Sequence, residues 1–203
     1  DAGQVAIANG GIAVVERLRI LGAGGELNDD ARDIDTIRSG CTKKILSVLE
    51  QHHVPGTFFV IGENALEHPG LLQRIVADGD EIGNHSYSHP NLATWSDEST
   101  RLELNATQRL VQAYTGRSMK LFRAPYFGDA EPTTADELGP ALAAQKAGYT
   151  VVGLHVDPND WQRPGTDTIV RQVIDQVHAA DAERSGNIIL LHDGGGERSQ
   201  TVA

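Results

Sequence analysis

From about residue 42 onward, segments with helical periodicity alternate with short β-favouring runs. The predicted helices are 42–52, 69–78, 96–116, 135–147 and 167–179, and the predicted strands are 57–61, 81–83, 120–122, 149–156 and 187–191. Within the third helix we expect Leu102, Leu110 and Val111 to lie on the apolar face. Repeated units of this kind predict an α/β fold with a parallel sheet, open or closed, and with its chemistry at the carboxyl ends of the strands.

Length and composition restrict the class of protein. The 203 residues suit one domain with a sizeable core, and no linker-like segment divides residues 1–203. A formal net charge of −11, with scattered basic residues, argues against a nucleic-acid partner. No apolar run reaches the length of a membrane span, and the single cysteine, Cys41, cannot form an internal disulfide. The chain begins at Asp1, so a preceding targeting segment or domain stays an open alternative.

Two histidines, His85 and His89, follow the predicted strand 81–83 within the segment Asn84–Pro90. Pro90 disfavours helical geometry at His89, so we place the pair on a loop that leaves the strand. There, two neutral imidazoles can supply half of a tetrahedral shell for zinc, cobalt or nickel. The alternative is that one ring caps a turn and the other is solvated.

Chemically versatile residues also follow three later strands. A histidine at a strand terminus can act as a general acid or base because its ordinary pKa lies near neutrality. Read alone, the Arg123 segment is also typical of a plain turn, and the Asp157 segment of a surface turn with a core tryptophan. The residues are Arg123 after the third strand, Asp157, Asp160 and Trp161 after the fourth, and His192 and Asp193 after the fifth.

Taken together, four segments resemble the motifs of the polysaccharide deacetylase family, the NodB-homology domains of carbohydrate esterase family 4. They are His-Ser-x-x-His at His85–His89, Arg-x-Pro-Tyr at Arg123–Tyr126, Asp-x-x-Asp-Trp at Asp157–Trp161 and Leu-x-His at Leu190–His192. The segments occur in the family's order, and the resemblance covers about residues 42–203. It implies a distorted (β/α) barrel, and whether that barrel is complete at its two ends stays open.

The resemblance also implies an enzyme that removes N-acetyl or O-acetyl groups from a polysaccharide by metal-assisted hydrolysis. Chitin oligomers, poly-N-acetylglucosamine and peptidoglycan are the expected substrates, and an extracellular or cell-envelope location is expected. In that picture one divalent ion, Zn²⁺ or alternatively Co²⁺, is bound by His85, His89 and Asp30. Asp29 is then the catalytic base, and Arg123 positions it.

The family's remaining roles fall on the later motifs. His192 is expected to protonate the departing amine, and Asp160 is expected to orient His192. The backbone N–H of Tyr126 is expected to hold the tetrahedral oxyanion. Trp161 and Leu190 are expected to shape the pocket for the acetyl methyl group.

The family's first motif, Thr-Phe-Asp-Asp-Gly, has only a partial counterpart in this chain. The segment Leu27–Ala31 keeps the two acids, Asp29 and Asp30, but not the phenylalanine, the glycine or the apolar strand before them. Asp33 and Asp35 are rival candidates for the acidic roles. A solvated acidic loop is the structural alternative for Asp29 and Asp30.

This divergence leaves two functional hypotheses. Residues 1–41 are a divergent first segment, and residues 42–203 are the well-matched part of a single domain. The first hypothesis is an active metal-dependent deacetylase, because four of the five motifs are present. The second is a catalytically impaired carbohydrate-binding homologue, and a more distant option is hydrolysis of a small amide or cyclic imide. Oligomeric state stays open.

Overall fold

The computed structural model describes residues 5–8, 11–14, 37–126, 133–179, 188–194 and 198–203, with side chains from residue 40 onward. Its strands are β1 (Val5–Ala8), β2 (Gly11–Val14), β3 (Gly56–Val60), β4 (Glu81–Asn84), β5 (Leu121–Phe122) and β6 (Thr150–Val151). They form one sheet in the order β2-β1-β3-β4-β5-β6. The β1–β2 pair is antiparallel, and every other pair is parallel. The predicted α/β class with a parallel sheet is therefore confirmed.

Helices pack on this sheet. They are α1 (Ile37–His52), α2 (Gly62–Glu67), α3 (Pro69–Ala77), α4 (Asp97–Thr115), α5 (Ala135–Lys146), α6 (Thr166–His178) and α7 (Ser199–Val202), with 3₁₀ turns at Leu92–Thr94 and Asp160–Gln162. The five predicted helices correspond to α1, α3, α4, α5 and α6. Of the helices in the described ranges, none combines the length and the apolar character that a bilayer crossing requires.

The strand β3 is buried along its whole length because the sheet is covered on both faces. Phe58 and Val60 belong to the larger core cluster, together with side chains of α1 and α3 such as Leu46 and Leu72. Phe59 points to the opposite side and packs against Leu121, Val152 and Ile188. Burial on both faces explains why this strand has a continuous apolar sequence rather than an alternating one.

The ends of α4 follow the sequence signals closely. Ser96 caps the helix, since its Oγ accepts a hydrogen bond from the Ser99 N–H at 3.1 Å. Asp97 and Glu98 occupy the first turn, where negative charge favours the helix N-terminus. Gly116 ends the helix with φ of 71°, a left-handed conformation that glycine adopts without strain.

The predicted apolar face of α4 is wrong at Leu102, which is 63% exposed. The buried stripe instead contains Thr100, Leu104, Thr107 and Val111 at steps of four, three and four residues. Two of these four positions are threonines, so the apolar pattern alone does not reveal the face that meets the core.

The predicted strand 149–156 is longer than the strand in the structure. Only Thr150–Val151 pair with β5, and beyond them the carbonyl oxygens of Val152 and Gly153 accept hydrogen bonds from the Arg123 side chain. Parallel pairing resumes as an isolated bridge between Val156 and Ile189. In place of the predicted strand 187–191, the structure has short β-bridges from residue 188 onward. Residue 187 lies outside the described residues.

The hairpin of β1 and β2 was not predicted. Its strands have four residues each, too few for a clear alternating pattern. The sequence between them is Asn9-Gly10, a dipeptide favoured in two-residue hairpin turns, and this signal could have predicted the pairing.

Candidate active site

The predicted site residues that the structure describes lie where the parallel strands end, as expected for an α/β fold. The strand ends place the side chains at one edge of the sheet. His85 and His89 follow β4, Arg123 and Tyr126 follow β5, and Asp160, Trp161, Leu190 and His192 lie on the segments after β6.

His85 is held through both its backbone and its ring. Its N–H donates to the Val60 carbonyl oxygen at 3.1 Å, which continues the pairing of β4 with β3. The ring Nδ1 lies 2.9 Å from the Arg123 carbonyl oxygen. Because a carbonyl oxygen can only accept, the proton belongs on Nδ1, and the Nε2 lone pair of the neutral ring is left available as a ligand.

His89 lies directly beside His85, with ring centroids 4.9 Å apart and the ring planes at 64°. Burial lowers the pKa of His85 well below its ordinary value, and the charge of His89 lowers it further. Burial also lowers the pKa of His89. Both rings are therefore neutral at pH 7, which is the form that binds a metal ion.

A zinc site needs at least one further protein ligand. Within the described ranges, no group of three or more His, Cys, Asp or Glu side chains is arranged to hold a metal ion. The two neutral imidazoles fit half of a zinc shell, and the described ranges do not provide the rest of it. Asp29, Asp30, Asp33 and Asp35 all lie outside the described residues, so their roles stay predictions.

Arg123 is only 2% exposed although it carries a charge. Its Nε donates to the Val152 carbonyl oxygen at 3.3 Å and its Nη2 to that of Gly153 at 2.5 Å. Its guanidinium carbon lies 4.9 Å from the ring centroid of Phe59. Burial lowers its pKa to about 10, so the group is positive at neutral pH. Nη1 has no hydrogen-bond partner in the described part of the chain, although a buried donor normally has one.

Tyr126 borders the histidine pair. Its ring centroid lies 4.9 Å from that of His89, and 69% of the residue is exposed. Its φ of 67° lies in the left-handed region, which is uncommon for a bulky residue and is typical of functional sites. Tyr126 therefore presents an exposed aromatic ring directly beside the histidine pair.

Asp160 and His192 form a second unit on the segments that follow β6. Asp160 is 1% exposed. One carboxylate oxygen accepts from the His192 ring Nδ1 at 2.7 Å, and the other accepts from the His192 backbone N–H at 2.8 Å and from the Thr201 hydroxyl at 2.7 Å. The bond to Nδ1 leaves Nε2 of His192 on the free side of the ring. The charge of His192 also lowers the pKa of His85 and of His89, so the two histidine units lie within electrostatic range of each other.

The two predicted pocket residues differ in exposure. Leu190 is buried, and its N–H donates to the Val156 carbonyl oxygen at 2.9 Å. Trp161 is 50% exposed, so the alternative of a core tryptophan is wrong. An exposed tryptophan one residue after Asp160 is available to contact a ligand.

The structure shows contacts of three further residues: Asp157, which the sequence analysis named without a specific role, and Thr201 and Glu103, which it did not name. Asp157 is half-buried near Arg123 and His192, and burial raises the pKa of its carboxyl. Thr201 binds Asp160 from α7, a contact that no local sequence pattern predicts. Glu103, on α4, accepts hydrogen bonds from Tyr87 and Ser88 in the loop between His85 and His89, which we call the histidine loop. The signal available in the sequence was an acidic side chain at position 103, directly before Leu104 of the buried stripe.

A family model described as polysaccharide deacetylase matches residues 29–152 of this chain. The chain belongs to the polysaccharide deacetylase family. The expected resemblance is thereby confirmed. The match begins at Asp29, so it extends into the segment that we described as divergent.

Relatives of this deacetylase-family chain include enzymes and a pseudoenzyme. It is 40% identical to a chitooligosaccharide deacetylase from Bradyrhizobium over 80% of this chain and 70% of the relative. It is 36% identical to a peptidoglycan-N-acetylglucosamine deacetylase from Bacillus cereus, again over 80% of this chain and 70% of the relative. A solved structure of a CE4 family pseudoenzyme from Bacillus anthracis is similar, with a TM-score of 0.66 and 28% identity over 80% of this chain and 52% of that chain. The chain thus spans about two thirds of the curated relatives and about half of the pseudoenzyme.

Proposed function

We propose that this chain is a metal-dependent deacetylase that hydrolyses the acetamido group of N-acetylglucosamine units in chitooligosaccharides or peptidoglycan. The observation that carries the proposal is the pairing of two units at one edge of the sheet. One unit is the neutral pair His85 and His89, and the other is the Asp160–His192 pair, in which Nδ1 is bound and Nε2 lies on the other side of the ring. The named activities of the relatives from Bradyrhizobium and Bacillus cereus support the substrate class.

In this proposal, His85 would hold one divalent ion through Nε2, His89 would hold it through a ring nitrogen, and Asp30 would supply the third ligand. A bound Zn²⁺ or Co²⁺ supplies Lewis-acid chemistry, because it polarises the acetamido carbonyl and makes water easier to ionise. The Arg123 carbonyl oxygen keeps the proton on Nδ1 of His85, so the ring cannot turn its protonated side to the ion.

The protons follow two routes. Asp29 takes one proton from water as the carbon–oxygen bond forms. Arg123 holds Asp29 in place through Nη1, which has no partner among the residues that the structure describes. His192 gives a proton from Nε2 to the sugar nitrogen as the carbon–nitrogen bond breaks. Asp160 stabilises the positive charge that His192 carries before that transfer. The products are acetate and the free amine.

The walls of the pocket select the acetyl group. The backbone N–H of Tyr126 donates to the oxyanion of the tetrahedral intermediate, where a fixed donor contributes strongly to catalysis. The buried Leu190 and the exposed Trp161 contact the acetyl methyl group. The exposed ring of Tyr126 supports the sugar from the side of the histidine pair.

The test is acetate release from chitooligosaccharides and from peptidoglycan fragments by the purified chain. We expect release that stops on treatment with a chelator and returns on addition of zinc or cobalt. His192→Ala should abolish release, whereas the matched change His53→Ala, at an exposed histidine after α1, should leave it unchanged.

Two results would contradict the proposal. Release that a chelator does not affect would remove the metal from the mechanism. Binding of the sugars without release in the presence of added zinc would favour the carbohydrate-binding alternative instead.

A further inference from the structure

The carboxylate of Glu103 binds the backbone between the two histidines of the candidate metal site. One oxygen accepts hydrogen bonds from the Tyr87 and Ser88 N–H groups, both at 2.8 Å. The other oxygen accepts from the Ser88 hydroxyl at 2.9 Å. Hydrogen bonds to a carboxylate are among the stronger ones in proteins, so this single side chain holds two successive residues of the loop.

The opposite side of the same loop is held by the start of α2. The Gly62 N–H donates to the Ser86 carbonyl oxygen at 3.0 Å, and the Glu63 N–H donates to that of Tyr87 at 2.9 Å. These amides belong to the first turn of a helix, where N–H groups lack partners within the helix. Carbonyl groups of the loop are therefore bound by α2, and its amide groups are bound by Glu103 on α4.

The backbone of the loop requires such support. Ser86 and His89 have φ of 67° and 57°, and left-handed conformations are unfavourable for residues other than glycine. The Ser86 hydroxyl also accepts from the His89 N–H at 3.0 Å, which stabilises the turn from within. The relative position of the two imidazoles depends on these few backbone angles.

We propose that Glu103 is a positioning residue that fixes the His85–His89 loop in its metal-binding geometry. The proposal deepens the proposed function and depends on it for the metal itself. Glu103 does not contact the metal or the substrate in this role. It acts only through Tyr87 and Ser88, the residues that set the distance and angle between the two rings.

The experiment compares three variants of the purified chain. Glu103→Ala removes all three hydrogen bonds, and Glu103→Gln keeps one acceptor oxygen at nearly the same volume. Glu98→Gln is the matched control, because Glu98 is an exposed acid in the first turn of the same helix. Zinc and cobalt affinities are measured by competition with a chelator, and amide hydrogen exchange of residues 84–89 is measured on the metal-free protein.

We expect zinc affinity to fall about 10- to 100-fold in Glu103→Ala, as for the loss of other groups that orient metal ligands, and less in Glu103→Gln. In the metal-free protein, the amides of Tyr87 and Ser88 should exchange faster in Glu103→Ala, while those of β3 stay protected. Glu98→Gln should match the unchanged protein in both measurements.

Failure of this proposal differs from failure of the proposed function. Unchanged exchange at Tyr87 and Ser88 in Glu103→Ala would overturn the role of Glu103 whether or not a metal binds. Zinc binding that is equal in Glu103→Ala and in the unchanged protein would also overturn it. A chain that binds no zinc would refute the metal-dependent function, and the exchange measurement would still decide whether Glu103 holds the loop.

Discussion

Arg123 and Asp160 are both almost completely buried, but their surroundings satisfy them differently. Asp160 uses both carboxylate oxygens, which accept three hydrogen bonds from His192 and Thr201. Arg123 donates through Nε and Nη2 and lies over the Phe59 ring, yet Nη1 has no partner among the residues that the structure describes.

The difference shows which half of the site is complete within the described residues. A buried charge is tolerated when hydrogen bonds replace the water that it loses, and Asp160 meets that condition. The guanidinium of Arg123 meets it only in part. We propose that Asp29, an acid of the first motif, is the partner of Nη1. Four experiments test this contrast.

The largest effect is expected for Asp160→Asn. The amide can present an N–H to His192 where the carboxylate presents an acceptor, so the ring loses the interaction that keeps its proton on Nδ1. We expect the rate of acetate release to fall about 10³- to 10⁴-fold, as in other acid–histidine pairs. The far-UV circular dichroism spectrum should stay unchanged, which would show that the variant is folded. A loss of less than tenfold would show that Asp160 does not orient His192.

The second test concerns Arg123, whose hydrogen bonds are incomplete within the described residues. Arg123→Lys keeps the charge but loses the planar set of N–H donors of the guanidinium. We expect the rate of acetate release to fall about 10²-fold. Combining it with Asp29→Asn in a double-mutant cycle should give a coupling energy of about 1–3 kcal/mol if the two side chains are in contact.

The control for this cycle is Asp33→Asn, a neighbouring acid in the same segment. Coupling of Arg123 with Asp33 rather than with Asp29 would move the catalytic base to the rival acid. If the effect of Arg123→Lys is additive with that of Asp29→Asn and with that of Asp33→Asn, neither acid is the partner of Nη1.

The third test disturbs the ring beneath Arg123. A Cβ at Gly83 would collide with the Phe59 ring, so Gly83→Ala must displace it. Overpacking of this kind costs about 1–3 kcal/mol in the free energy of unfolding, which urea denaturation measures. Gly70→Ala is the matched control, because no described atom lies within 4 Å of a Cβ there. It lies within α3, so we expect it to leave stability unchanged or to raise it by less than about 1 kcal/mol. Equal effects of both changes would contradict this packing.

The smallest effect is expected for Thr201→Val, which removes one donor from Asp160 and keeps the side-chain volume. Such a hydrogen bond contributes about 1 kcal/mol net to the free energy of unfolding, so urea denaturation should show a loss of that size, together with a small fall in kcat and little change in KM. Thr201→Ser keeps the hydroxyl and should retain the activity. An inactive Thr201→Ser would show that the methyl group, rather than the hydroxyl, supports Asp160.

Local sequence signals predicted the described elements well where one segment carries its own pattern. Ser96 and Gly116 mark the ends of α4, and the apolar run of β3 marks a strand buried on both faces. The same signals failed where a distant group decides the outcome. Leu102 is exposed because the buried stripe of α4 includes threonines in place of apolar residues. The strand that begins at Thr150 ends after Val151, and the next two carbonyl oxygens accept hydrogen bonds from the Arg123 side chain.

By itself, the sequence determined the order of strands and helices, the family, and the residue types that stand at the strand ends. Those properties depend on neighbours in the chain and on periodic patterns, so they can be read without coordinates. Only the tertiary structure decided that the His85 ring donates to the Arg123 carbonyl oxygen, that Thr201 completes the surroundings of Asp160, and that Glu103 holds the histidine loop. These contacts join residues 15 to 41 positions apart, and packing of the helices against the sheet alone brings them within hydrogen-bond distance.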